Sequence, residues 1–313
     1  MKVPVLVLAF NRADHVAKAM EAIQEYRPER LYLECDGARK NKAGETEAVA
    51  LTRKTMLDMV NWSCEVKTLF RDENLGCANA VYGAITWFFE HENWGVIIED
   101  DVVVGQDFFR LCEELLPRYK DEEKIMEISA LNYNEKSVPS NSYVYSQSFH
   151  CWGWASWSRA WKYMDMNMSS VPSMSLIQLT NQLGFPRGFY LYFRFKRHYA
   201  HIASFTSWAT RWWLSIIMSK GLVICPGVNM AVNIGMTDGT HYNYSDIDPH
   251  SQFRIGKMQW PLDYNDKVAL SKHQMRFDNY DYTRDRIYGI INHIRRIIRY
   301  ITNCLRNFIK HEN

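Results

Sequence analysis

Short, continuous aliphatic runs alternate with longer amphipathic stretches over the first 130 residues or so of the chain. Pro4 to Phe10 (PVLVLAF) is apolar throughout and β-prone, the pattern of a strand buried on both faces. The spacing then predicts a helix from about Asp14 to Glu25, with Asp14 as its cap. Leu31 to Cys35 and Glu65 to Phe70 read as the second and third strands, separated by a helix from about Glu45 to Val60. A helix from about Gly76 to Glu90 leads into Val96-Ile97-Ile98, an apolar run opened by Gly95 that reads as a buried central strand. A helix over 107–119 and a strand from Lys124 to Ser129 complete the series. Strands alternating with helices of this length imply a mainly parallel sheet covered on both faces. In such sheets ligands bind outside the carboxyl ends of the strands.

The pattern changes after residue 150. Cys151 to Trp161 places Trp152, Trp154, Trp157 and Trp161 in eleven residues. Such rings either form an apolar, cation-attracting wall for an acceptor or join the two halves of the core. Residues 164–188 are polar and rich in Ser, Met and Pro, the composition of a flexible loop or lid. Arg187 to His201 is dense in aromatic and basic residues, suited to an anionic acceptor or to a solvated helix face. A helix (208–219), a short strand (Leu222 to Cys225) and a turn at Pro226-Gly227 follow. Asn233 to His241 is a glycine-spaced loop whose backbone can approach a ligand closely. Its His241 could supply an imidazole to a metal.

The tail has its own period. Ile287, Ile290, Ile291, Ile294, Ile297, Ile298 and Ile301 recur at spacings of three and four, with Arg295, Arg296 and Arg299 between them. Residues 283–313 hold seven Lys or Arg against two acids, so a net charge of +2 divides into +5 for the tail and −3 for the rest. That is a basic amphipathic helix of the kind that lies on an anionic membrane surface, or one docked on the domain or a partner. The seven cysteines are scattered and never paired as CxxC, which points to a reducing compartment and away from a zinc site. No signal peptide or spanning segment is read, so a cytoplasmic location is expected. No nucleic-acid partner is expected.

Chemistry concentrates at the predicted strand ends. Asn11 and Arg12 follow the first strand, Asp36 the second, Arg71 and Asp72 the third, and Glu99-Asp100-Asp101 the fourth. Three consecutive acids repel one another unless a cation or strong donors sit opposite. Mg²⁺ is usually held by one or two carboxylates plus substrate phosphates, and Mn²⁺ accepts the same ligands. The alternative, that these acids cap the following helix, is weaker, because they abut the strand directly and Asp107 is the better cap for Phe108 onward. Neither GxxxxGK[ST] nor GxGxxG occurs, so a P-loop and a dinucleotide fingerprint are both absent.

Pro4 to Arg12, Asp36-Gly37, Asn74-Leu75-Gly76 and Glu99-Asp100-Asp101 followed by Asp107-Phe108-Phe109 resemble the nucleotide-sugar half of GT-A fold glycosyltransferases. The likeness is to N-acetylglucosaminyltransferase I and its bacterial haemolysin-like or family 2-like relatives. The bacterial relatives also share Trp152-Gly153-Trp154-Ala155, Trp208-Ala209 with Arg211-Trp212, and Asn233-Ile234-Gly235 with Gly239-Thr240-His241. The resemblance implies a Rossmann-like, mixed, mainly parallel α/β sheet flanked by helices. Residues 1–130 would be the nucleotide-sugar half, 131–265 the acceptor half of the same domain, and 283–311 the amphipathic tail. Asn11, Arg12, Asp36, Arg71, Asn79, Glu99 and Asp100 would contact the nucleotide-sugar, with Asp36 near the base or ribose. Asp101, with His241, would hold Mn²⁺ or Mg²⁺. Trp152, Trp154, Trp208 and Arg211 would face the acceptor.

One departure concerns the general base. In N-acetylglucosaminyltransferase I an Asp follows the Trp that Trp208 matches, whereas here that position is Ala209. The candidates that remain are Asp238, Asp107 and His150. The expected activity is transfer of a sugar from a nucleotide-diphosphate donor, UDP by resemblance, to a saccharide hydroxyl. The tail suggests a membrane-bound, lipid-linked acceptor in bacterial surface glycan synthesis, with the enzyme peripheral on the inner face of the membrane. The alternatives are a non-catalytic sugar-binding or membrane-active protein and, ranked lower, a sugar-nucleotide pyrophosphorylase. The pyrophosphorylase expects a glycine-rich loop where Asn11-Arg12-Ala13-Asp14 stands.

Overall fold

The computed structural model describes residues 2–134, 137–235 and 254–284. Four parallel strands, β1 (Val5–Ala9), β2 (Arg30–Cys35), β3 (Glu65–Phe70) and β4 (Trp94–Glu99), lie in the order β3-β2-β1-β4. They alternate with helices α1 (Ala13–Tyr26), α2 (Glu45–Asp58) and α3 (Cys77–His91). The chain then forms the short β5 (Val102–Val104), α4 (Gln106–Arg118) and β6 (Ile125–Ser129). Apart from β5, for which the sequence reading has no strand, these elements fall where the periodicity predicts them. The runs in β1, β2 and β4 are almost wholly buried, as a sheet covered on both faces requires.

The second half extends the same sheet. Strands β7 (Tyr143–Ser146), β8 (Trp154–Trp157) and β9 (Leu222–Pro226) complete the order β3-β2-β1-β4-β8-β6-β9-β7. β8 runs antiparallel to both β4 and β6, whereas β9 is parallel to β6 and antiparallel to β7. The apolar patterning did not predict β7 or β8. β8 reads as a tryptophan cluster, because its four residues are all buried and show no alternation. A separate two-stranded ribbon joins β5 to β10 (Ala231–Asn233), pairing Val102 with Asn233.

Residues 164–188 are ordered rather than a lid. Helix α5 (Ser158–Trp161) precedes them, and α6 (Leu176–Leu183) lies within them. Met168, Val171, Met174, Leu179 and Leu183 form a second core with residues of α7 (Arg187–Ala200) and α8 (Trp208–Met218). Methionine spread among serines hides this from a composition reading, since its flexible side chain fills core gaps without a regular period. A further helix, α9, is described over 272–284.

Two caps are placed differently from the expectation. Asp14 lies inside α1, whose N-cap is Arg12, and its carboxylate sits 3.2 Å from His15 Nδ1. Asp107 lies inside α4 and is held by a distant loop. No helix among the described residues is long and apolar enough to cross a membrane. The tail from residue 285 onward, and with it most of the predicted 283–311 helix, lies outside the described residues.

Candidate functional site

Parallel registry sets the strand ends side by side. β1 lies between β2 and β4, with Leu8 level with both Glu34 and Glu99. Arg12, one turn of chain beyond β1, therefore reaches the acids that follow β4. Its guanidinium donates to Asp100 and, at 2.8 Å, to Asp101. Burial works against the Arg12 charge, but the pull of the two carboxylates outweighs it and raises the pKa. Burial pushes the Asp100 carboxyl up to about 6 against the opposing effect of Arg12. Glu99 is raised well above the ordinary carboxylate range by burial and by Asp101 and Asp100. Its Oε1 is buried without a hydrogen-bond partner. One guanidinium thus serves two carboxylates and leaves a third carboxyl unpartnered, at the edge where open α/β sheets bind ligands.

The β5/β10 ribbon closes this cluster from the far side. Asn233 donates to Asp101 at 3.3 Å, and the Ile234 amide donates to the Asp101 carbonyl at 2.8 Å. At Gly235 a Cβ would stand 2.6 Å from Asp101 Oδ2 and 2.8 Å from Arg12 Nη1. Only glycine lets the backbone pass this close. The glycine-spaced loop was legible in sequence, but its contact with Asp101 was not.

The Asp36 carboxylate, expected near the base or ribose, accepts hydrogen bonds from within the fold. It is buried, and its Oδ1 accepts from the amides of Gly37 and Leu75, both at 3.0 Å. Its Oδ2 accepts from Asn74 Nδ2 at 3.0 Å and from the amides of Leu75 and Gly76 at 3.1 Å. The carboxylate is filled by the loop after β3 and ties that loop to the end of β2. Arg71 likewise turns inward, pairing with Glu34, a buried acid within β2. Burial pushes the Glu34 carboxyl up to about 8 even though Arg71 opposes the shift. Arg53 of α2 donates to the carbonyls of Cys35, Asp36 and Arg71, binding the two strand ends together. Asn11 donates to Glu45 at 3.0 Å, and Glu45 in turn is held by Arg39. Asn79 is exposed on the first turn of α3, bonded to the Leu75 carbonyl.

Sequence reasoning missed Glu34, Arg53 and Glu45 as parts of this edge. Glu34 left a signal, a single acid inside an otherwise apolar strand; Arg53 and Glu45 sit on a helix face and left none.

The aromatic residues expected to face an acceptor are mostly core. Trp154 and Trp208 stack with centroids 5.7 Å apart and are buried, at 0% and 3% exposure. They pack around Trp161 and Trp212, where the sheet meets α8. Arg211 is buried too, and its guanidinium donates to the carbonyls of Met166, Ser207 and Phe205. These rings and this cation are consumed by packing and by carbonyls that need donors. Trp152 is half-buried against the same core.

Among the base candidates, both oxygens of Asp107 are taken, by the Met258 amide at 2.9 Å and by Trp260 Nε1 at 3.1 Å. That removes it as a free base. His150 is half-buried beside Tyr133, with ring centroids 4.2 Å apart. Asp238 and His241 lie outside the described residues. Among the described residues no three His, Cys, Asp or Glu side chains are placed to hold a metal ion. The donor chemistry still fits a hard divalent cation, because one or two carboxylates completed by phosphate oxygens suffice for Mg²⁺. Asp101 supplies one such carboxylate at this edge.

No protein-family model and no curated protein matches the chain. Solved structures match over part of its length. The chain is similar to HddC from Yersinia pseudotuberculosis at 13% identity and a TM-score of 0.30, covering 50% of this chain and 77% of HddC. The same protein complexed with GMP-PN matches at 11% identity and an equal TM-score of 0.30, over the same shares of 50% and 77%. The glycosyltransferase GlyE of Streptococcus pneumoniae TIGR4 matches at 11% identity and a TM-score of 0.28, covering 56% of this chain and 41% of GlyE. Likenesses this weak carry no argument about activity, which rests on the site itself.

Proposed function

We propose that the chain is a glycosyltransferase that moves a sugar from a nucleotide-diphosphate donor, a UDP-sugar by resemblance, to a saccharide hydroxyl. The observation that carries this reading is the Arg12–Asp100–Asp101 cluster with the unpartnered Glu99 carboxyl beside it. It lies outside the carboxyl ends of parallel strands, where a nucleotide donor would sit. Glu99, whose buried Oε1 has no hydrogen-bond partner, is suited to hydrogen-bond a sugar hydroxyl. Arg12 is suited to phosphate oxygens, because a planar guanidinium matches them bidentately.

Asp101 would hold Mg²⁺ or Mn²⁺ together with the donor's phosphates; when bound, the metal supplies charge neutralisation for the leaving diphosphate. In the transfer the bond from the sugar's anomeric carbon to the diphosphate breaks, and the diphosphate leaves with its electron pair. A bond from that carbon to the acceptor oxygen forms, and the hydroxyl proton passes to a base. With both Asp107 oxygens occupied, His150 and Asp238 remain for that role. Gly235 keeps the Asn233 loop against Asp101 and Arg12, which helps to exclude water from the cluster.

The test is thermal unfolding with UDP, GDP, CMP and dTDP, each with Mn²⁺, Mg²⁺ or EDTA. A ligand at a hundredfold excess over its Kd stabilises by about 2.7 kcal/mol, a shift of a few degrees. Stabilisation by one nucleotide only when metal is present, lost in Arg12→Gln, is the expected result. No shift with any nucleotide would reject the reading.

A further inference from the structure

Helix α7 turns aromatic rings outward where a polar face is expected. Its buried side is formed by Arg187, Gly188, Leu191 and Phe195. At 100° per residue, Phe189, Phe193 and Arg197 point the opposite way, toward solvent. Phe189 is 38% exposed, Phe193 52%, and Phe185, just before the helix, 73%. The three rings form a ladder, with centroids 6.1 Å apart from Phe185 to Phe189 and 5.0 Å from Phe189 to Phe193. Ile177 of α6 is also 72% exposed. A surface helix of a soluble domain normally turns charged or polar residues outward.

The charges around this ladder have one sign. Between Asp165 and Asp238 the chain contains no acidic residue, while α7 carries Arg194, Lys196 and Arg197 outside its buried side. Helix α9, which abuts the α6–α7 turn through Asn279, repeats the arrangement. It exposes Lys272, Arg276 and Tyr280. Its acids Asp278 and Asp281 are buried, Asp278 against Arg187 and Asp281 against Arg284. The fold hides acids and shows aromatics and cations over two adjoining helices.

We propose that the α6–α7 hairpin, with α9 beside it, is a docking surface for an anionic lipid bilayer. Outward phenylalanines insert at the headgroup–acyl boundary, where aromatic rings are favoured. The flanking Lys and Arg meet anionic headgroups, each adding attraction that falls with salt. Lys196 keeps its ammonium at this surface, 5.5 Å from the centre of the Tyr192 ring and 3.1 Å from the Pro172 carbonyl. The residues of this surface all precede the tail beyond residue 284 in sequence, and the inference stands without the glycosyltransferase reading.

The test is co-sedimentation of the full chain with vesicles of phosphatidylcholine alone and of phosphatidylcholine with 30% phosphatidylglycerol, at low and high salt. Wild type, Phe189→Ser/Phe193→Ser and Lys196→Glu/Arg197→Glu are compared. The wild-type chain should pellet with the anionic vesicles and be released by salt. Each double variant should weaken partitioning by about tenfold or more. Retained thermal unfolding of each variant confirms that it folds. Unchanged partitioning of both folded variants would overturn the proposal, because another part of the chain would then hold the membrane. Absence of wild-type binding would overturn it too. A dimer in sedimentation velocity that Phe189→Ser/Phe193→Ser dissolves would also overturn it, by showing that a second copy covers this face.

Discussion

Replacing Asp36 by Asn decides between two roles for that residue, loop anchor and nucleotide contact. The side chain is 5% exposed, and each oxygen is surrounded by donors. Asn would place its NH₂ against at least two of them, the amides of Gly37 and Leu75 if it occupies the Oδ1 position. Each lost bond to a charged acceptor is worth about 1.5–3 kcal/mol, so about 3 kcal/mol of stability should go. For a chain of this size that is a fall in Tm of about 6 °C, at roughly 2 °C per kcal/mol. Chemical denaturation should agree, with a lower midpoint in urea and an unchanged m-value. Asp36→Ala should cost more, because it strands the buried amides of Gly37, Leu75 and Gly76 without an acceptor. A Tm for Asp36→Asn within about 1 °C of wild type, with nucleotide affinity lost, would refute the anchor argument and restore the residue to direct ligand contact.

Gly235→Ala should leave the fold intact but displace Arg12 and Asp101, since a Cβ there meets both within 3 Å; nucleotide-dependent stabilisation should fall about tenfold in apparent affinity, and wild-type affinity would contradict the close approach. A cycle of Arg12→Gln, Asp100→Asn and the double variant should return a coupling of about 1–2 kcal/mol in urea unfolding, because the Asp100 side chain is nearly buried while Arg12 is about a quarter exposed. A coupling near zero would mean that the pair is solvated. Glu34 should make stability fall with rising pH. Its carboxyl is held at about 8 in the fold against 4.5 in the unfolded chain, so the folded state keeps an extra proton between those values. The stabilisation is full below about 4.5 and is lost as pH rises through 8. Urea midpoints from pH 5 to 9 should decline more steeply for wild type than for Glu34→Gln, and parallel profiles would contradict the assignment.

Sequence by itself determined the frame of this protein. Largely apolar runs within Val5–Ala9, Arg30–Cys35 and Trp94–Glu99, spaced by helical periods, leave little choice but a parallel sheet, and the acids that close the last run mark its carboxyl edge. Tertiary structure decided which side chains at that edge remain open to a ligand. Asp36 and Arg71 look like Arg12 in a linear reading, but buried amides fill the first, and Arg71, 13% exposed against buried Glu34, is more enclosed than Arg12 at 27%. Such partners lie tens of residues away, and no local pattern announces them. The same holds for β8, whose tryptophans read as a binding wall until strand pairing on both sides makes them core. It holds again for 164–188, where a second core formed by distant helices orders a segment with the composition of a loop. Local propensity and periodicity are written along the chain; burial of a polar group or a ring depends on what arrives from elsewhere to cover it.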